Sequence, residues 1–159
     1  MNVAHAALNI LDSITTDWAL ALPLIVLTVV VHVVGLGFMS QGAGRIVSGV
    51  IWRRHARATF VVLTGASTLL ATCLHGIEAA IWAAAYWLLG ALPDFRSSAL
   101  YSLNAMTSYG HTNLSLEGHW QFMGALEALN GWLLFGLTTA FLVAVIHKAW
   151  LSDNRGGRH

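Results

Sequence analysis

An ion that leaves water needs oxygen atoms to replace its hydration shell. The run Pro93 to Asn113, PDFRSSALYSLNAMTSYGHTN, carries residue types suited to that task. Thr107 and Ser108 bring hydroxyl oxygens, Tyr109 a ring that can lock an extended strand outward, and Gly110 a backbone open to unusual angles. Met106 precedes them and His111 follows, at the position of an outer mouth. An imidazole with an ordinary pKa near ~6.5 would make such a mouth sensitive to pH. Further along, Glu127 and Asn130 are polar residues in a long apolar run, which a channel reading would use to support this segment, and Gly136 is a candidate hinge. A second constellation is His75 and Glu78, three apart and hence on one helix face. It reads either as a proton-sensitive, ion-facing pair or as an interhelical hydrogen-bond network with Glu78 protonated.

These residues need elements to hold them. The 159-residue chain is 57% apolar and 9% charged. That is far below the roughly 25% charged of soluble domains, so the expected class is all-α integral membrane protein. Trp18 to Met39, about 22 residues without a formal charge, is long enough to span a bilayer. Ala58 to Leu92 and Trp120 to Trp150 are two further long apolar stretches. Trp18, and then Trp82, Tyr86 and Trp87, suggest interfacial aromatic belts. Gly90 and Pro93 should end the second helix, and Pro23 should lie near the start of the first. The segment between the second and third spans is too short and polar to cross. It predicts a short helix over Ser97–Met106 and then an extended Thr107–His111. A helix that enters and an extended return must be shielded by protein or line water, which predicts a re-entrant pore helix and filter loop.

Residues 1–17 read as a separate amphipathic segment, residues 18–57 as the first span with a Gly-rich, basic loop, residues 58–150 as a pore module and residues 151–159 as a tail. Arg45, Arg53, Arg54 and Arg57 on one side, and His147, Lys148, Arg155 and Arg158 after the last span, place both clusters in the cytoplasm and the N-terminus outside. Net charge is +1, which gives no case for nucleic acid, and the single cysteine, Cys73, rules out an internal disulfide. No nucleophile, nucleotide-binding or metal-hydrolase motif occurs, so neither catalysis nor a cofactor is expected.

The order outer helix, pore helix, Tyr-Gly strand and Gly-bearing inner helix resembles the pore module of the two-helix potassium-channel superfamily, especially small bacterial ion-channel proteins. Leu92-Pro93-Asp94-Phe95, Ala99-Leu100-Tyr101-Ser102 and the run from Gly124 to Gly136 carry the likeness beyond the loop. The resemblance implies a homotetramer in a bacterial inner membrane that conducts a monovalent cation, potassium by analogy. Aligned on Tyr109-Gly110, the filter pattern Thr-Val-Gly-Tyr-Gly meets Met106, Thr107 and Ser108 in its first three places, and His111 stands where Asp usually follows. That departure leaves selectivity open and keeps a second reading, a non-conducting subunit that uses the pore fold for assembly. A third reading is a haem protein with His32 and His75 as axial ligands, His147 lying beside a span.

Overall fold

A computed structural model describes residues 3–48, 56–110 and 114–156. The described residues form helices α1 (Val3–Ser48), α2 (Ala56–Leu88), α3 (Phe95–Thr107) and α4 (Gln121–Gly156), with a single 3-10 turn at Gly118–Trp120 and no strand. Segments of α1, α2 and α4 (Ile14–Ile46, Arg57–Leu88 and Gln121–Trp150) are long and apolar enough to cross a membrane.

Several boundaries differ from the sequence expectations. The N-terminal amphipathic segment is not a separate element, because α1 runs through it without a break. The Gly-rich stretch after Met39 stays helical to Ser48; a helical Gly costs only about 1 kcal/mol, too little to stop a long apolar helix. Arg53 and Arg54 lie outside the described residues. Pro23 is therefore interior to α1, a position apolar spanning helices tolerate better than soluble ones. Residues 152–156, expected as part of a flexible tail, continue α4.

Helix α2 stops at Leu88, short of the expected Leu92. Gly90 takes φ +71, the Ala91 N–H reaches the Tyr86 carbonyl at 2.9 Å and the Gly90 N–H reaches that of Trp87 at 3.1 Å. This is a Schellman ending, in which a left-handed glycine lets two late carbonyls find donors. The aromatic belt is also revised. Trp82 and Tyr86 are fully buried, four apart on the face that carries Ala79 and Ala83, whereas Trp87 is turned off that face and exposed, edge-on to Phe95.

The chain divides into two compact units. The first, Met1–Val30 with Gly76–Leu133, holds a core of Trp82, Tyr86, Leu92, Tyr101, Met123 and Leu126. Tyr86 and Tyr101 meet edge to face at 5.3 Å, and Trp18 packs on Phe122. The second, Val31–His75 with Leu134–His159, packs Ala43, Leu63, Val145 and Ala149 with Phe60 and Phe141 around them.

Candidate functional site

The expected short helix exists, and its two ends explain why. Asp94, in extended conformation, accepts from the Ser97 N–H at 2.9 Å and from the Ser97 hydroxyl at 2.8 Å, so the helix begins at Phe95. Those Ser97 bonds hold the exposed Asp94 carboxyl below the usual carboxylate range. At the other end Ser108 sits in the left-handed region, φ 54 and ψ 26. The Ser108 N–H reaches Ala105 O, and the Tyr109 N–H reaches Asn104 O, both at 3.1 Å. This is a second Schellman ending, built on serine where glycine is the usual occupant. The Trp132 indole N–H donates to the Ser108 hydroxyl at 2.9 Å, a bond a glycine would lack.

The expected extended run from Thr107 is corrected at its start. Met106 and Thr107 are helical, and the Thr107 hydroxyl donates back to Leu103 O at 2.7 Å. A threonine in the last turn of a helix bonds to the preceding turn, which removes its side chain from the role of a lining oxygen. Tyr109 is 84% exposed, so within one chain its ring locks nothing in place. Gly110 takes φ +92, a conformation that other residues rarely adopt. His111 lies outside the described residues.

Glu127 and Asn130 are fully buried and join helices rather than standing apart as a pair. Glu127 accepts from the Tyr86 hydroxyl at 2.8 Å through Oε2, and its Oε1 meets the Ser102 hydroxyl. The Ser102 hydroxyl is also 2.8 Å from Ala79 O. One carboxyl on α4 thus ties α3 to α2. Asn130 Nδ2 donates to the Thr28 hydroxyl at 2.8 Å, and Thr28 in turn lies 2.9 Å from Leu24 O, which joins α4 to α1. Tyr101, also buried beside this cluster, has its phenol pushed up to about 12, by burial first and then by Glu127.

Two glycines admit α3 to this packing. A Cβ on Gly131 would fall 2.5 Å from the Met106 carbonyl oxygen and 2.8 Å from its Cα, both backbone atoms with no room to yield. A Cβ on Gly124 would meet the Tyr101 hydroxyl. A Cβ on Gly136, the candidate hinge, would meet nothing within 4 Å beyond its own helix, which is unbroken there.

In the second unit His32 is fully buried, and His32 Nε2 and His75 Nε2 lie 3.1 and 3.0 Å from the Thr138 hydroxyl, with ring centroids 5.1 Å apart. His75 therefore has a hydroxyl partner on α4. Glu78 is fully buried, one turn on from His75 along α2. His147 is exposed on α4.

Thr28 was not singled out from sequence, and Tyr86 and Ser102 were named there for an aromatic belt and for a family likeness rather than as partners of Glu127. Ser98 and Ser102, both buried and spaced i,i+4 on a short helix, are the signal that was available. No protein-family model, characterised protein or solved structure matches this chain.

Proposed function

We propose that this chain is one subunit of a homotetrameric pore-loop cation channel of the potassium-channel-like kind, integral to a bacterial inner membrane. The observation that carries the reading is α3. At 13 residues it is about 20 Å long, too short for a hydrocarbon core of about 30 Å, yet it is capped at both ends and bonded to α2 and α4. A helix so held, followed by an exposed tyrosine and a positive-φ glycine, suits a re-entrant element. The C-terminal end of its helix dipole bears partial negative charge, which favours a cation beside it. One loop cannot enclose an axis, so several copies must share it. Leu100, Leu103, Leu129, Trp132 and Leu133, exposed on the single chain, offer apolar surface to neighbouring copies and lipid.

The end of α3 at Thr107 shifts the ion path of this reading. Carbonyls from Ser108 onward, with those of Tyr109 and Gly110, are its lining atoms, and Met106 and Thr107 serve as the last turn of the pore helix. The helical state of those two residues also supports the second reading, a non-conducting subunit, because a five-residue filter ending at Gly110 does not form. For a haem, two axial imidazoles must flank a macrocycle; His32 and His75 instead share one threonine hydroxyl, so nothing favours that reading. No catalytic role is proposed, and the permeant ion is the ligand.

The test is electrical. The purified tetramer in planar bilayers, under a potassium–sodium gradient, should pass current that reverses on the potassium side of zero. Reversal at zero would mean a non-selective pore. A silent, demonstrably tetrameric protein would favour the non-conducting subunit.

A further inference from the structure

The Ser102 hydroxyl has two oxygen partners for its one hydrogen, Ala79 O at 2.8 Å and Glu127 Oε1, and a proton on Glu127 would let both contacts be full hydrogen bonds. A backbone carbonyl only accepts. When Ser102 donates to Ala79 O, the Ser102–Glu127 contact needs its hydrogen from Glu127. The other carboxyl oxygen, Oε2, is the acceptor for the Tyr86 hydroxyl at 2.8 Å and supplies none. Tyr86 from α2 and Tyr101 from α3 are the titratable groups that face the carboxyl, and the Asp17 carboxyl of α1 acts on Tyr86. No basic side chain among the described residues pairs with Glu127. Charged carboxyls stripped of water and of a counter-charge are expensive.

We propose that Glu127 is a proton-binding site that docks the short helix: protonated, it completes the chain Tyr86–Glu127–Ser102–Ala79, and losing its proton breaks the one direct hydrogen bond from α3 to α2 in that chain. The atoms balance. The proton on Oε1 passes to solvent and leaves a carboxylate. The Ser102 O–H then rotates from Ala79 O to that carboxylate, so the Ser102–Glu127 bond persists with reversed polarity. The Ser102–Ala79 bond is lost. Tyr86 keeps donating throughout. One proton released equals one α2–α3 hydrogen bond broken. In the channel reading this makes the position of the pore helix depend on pH from behind the loop; the inference rests on that reading only for this consequence.

The test uses the full-length wild-type protein in lipid nanodiscs and needs no current. Infrared difference spectra from acidic to alkaline pH should show a carboxylic C=O band that shifts with 13C-glutamate labelling and disappears at alkaline pH. Over the same pH range hydrogen exchange at residues 95–107, corrected for intrinsic rate, should become about five- to tenfold faster, the effect of losing one hydrogen bond. Glu127→Gln, whose amide both donates to Ser102 and accepts from Tyr86, should lack the band and keep slow exchange at every pH. Ser102→Ala should exchange fast at every pH, which covers the case of an unfolded glutamine variant. The proposal is overturned by the absence of a labelled carboxylic band, by loss of the band with no change in exchange, or by a glutamine variant that stays pH-dependent. A silent but pH-responsive protein would refute the channel and leave the proton site standing.

Discussion

The first unit bonds a carboxyl, a tyrosine and a serine around α3 and adds an amide–threonine pair between α4 and α1, whereas the second joins two imidazoles through one threonine. The difference follows from what each has to hold. In the second unit long helices satisfy nearly all of their own backbone groups, and a small cluster of Ala43, Leu63, Val145 and Ala149 suffices for packing. In the first unit, α3 has four orphan donors and four orphan acceptors in 13 residues, so most of its length is helix end. Such an element is stable only when caps, side chains and close contacts make up the deficit. Asp94, Ser102, Ser108, Glu127 and Gly131 each meet part of it.

If that contrast is right, glycine substitutions should separate the units most sharply. Gly131→Ala drives a methyl into the backbone of Met106 and should lower stability by at least the roughly 1–3 kcal/mol of ordinary overpacking, read as thermal denaturation in detergent. Gly136→Ala meets nothing and should leave the melting temperature unchanged or raise it, with a gain of up to about 1 kcal/mol in helix propensity. Equal losses at both positions would end the distinction.

The next largest effect is expected at the polar networks. Glu127→Ala orphans the Tyr86 hydroxyl and should cost about 1–3 kcal/mol. Thr138→Val, in the second unit, should cost nearer ~0.6 kcal/mol, the average for hydrogen bonds between membrane helices. Denaturation of both variants by a graded denaturing detergent would rank them, and the reverse order would count against the comparison.

Serine at position 108 sharpens the account of the helix end. Ser108→Ala keeps the left-handed strain and loses the Trp132 bond, a loss of about 0.5–1.5 kcal/mol. Ser108→Gly loses the same bond but relieves the strain, so it should melt above the alanine variant. Indole fluorescence of Trp132 should change alike in both.

The smallest effect concerns Asp94. Its folded-state pKa is lowered, so its stabilising contribution is complete above the ordinary carboxylate value of 3.8 and is lost as pH falls through the still lower folded value. Hydrogen exchange at the first turn of α3 should therefore gain a separate acceleration in that acidic window, apart from the alkaline one that follows Glu127. Asp94→Asn should show no such step.

Much of the scaffold was legible in the sequence, for reasons that are local. Hydropathy is additive along the chain, so three stretches long enough to span were visible before any packing was known. The short helix was legible because its boundary signals are adjacent in sequence, although its start was expected at Ser97 and lies at Phe95, where Asp94 caps it. The one-residue extension through Thr107 was not, because it depends on Ser108 accepting a left-handed conformation beside Trp132, 24 positions away.

Burial was decided by tertiary structure. A helix apolar all round does not announce which face turns inward, so Trp82 and Tyr86 resembled a surface belt although they form the core. Likewise Glu127 and Asn130 were recognisable as polar residues that need partners, but their partners come from Tyr86, Ser102 and Thr28, 41, 25 and 102 positions distant. Sequence by itself determined how many long helices this chain makes and where the short one lies, since those follow from local chemistry. Only the fold decided which glycine is a contact, which serine ends a helix and where a buried carboxyl finds its partners, because each depends on atoms brought together from distant parts of the chain.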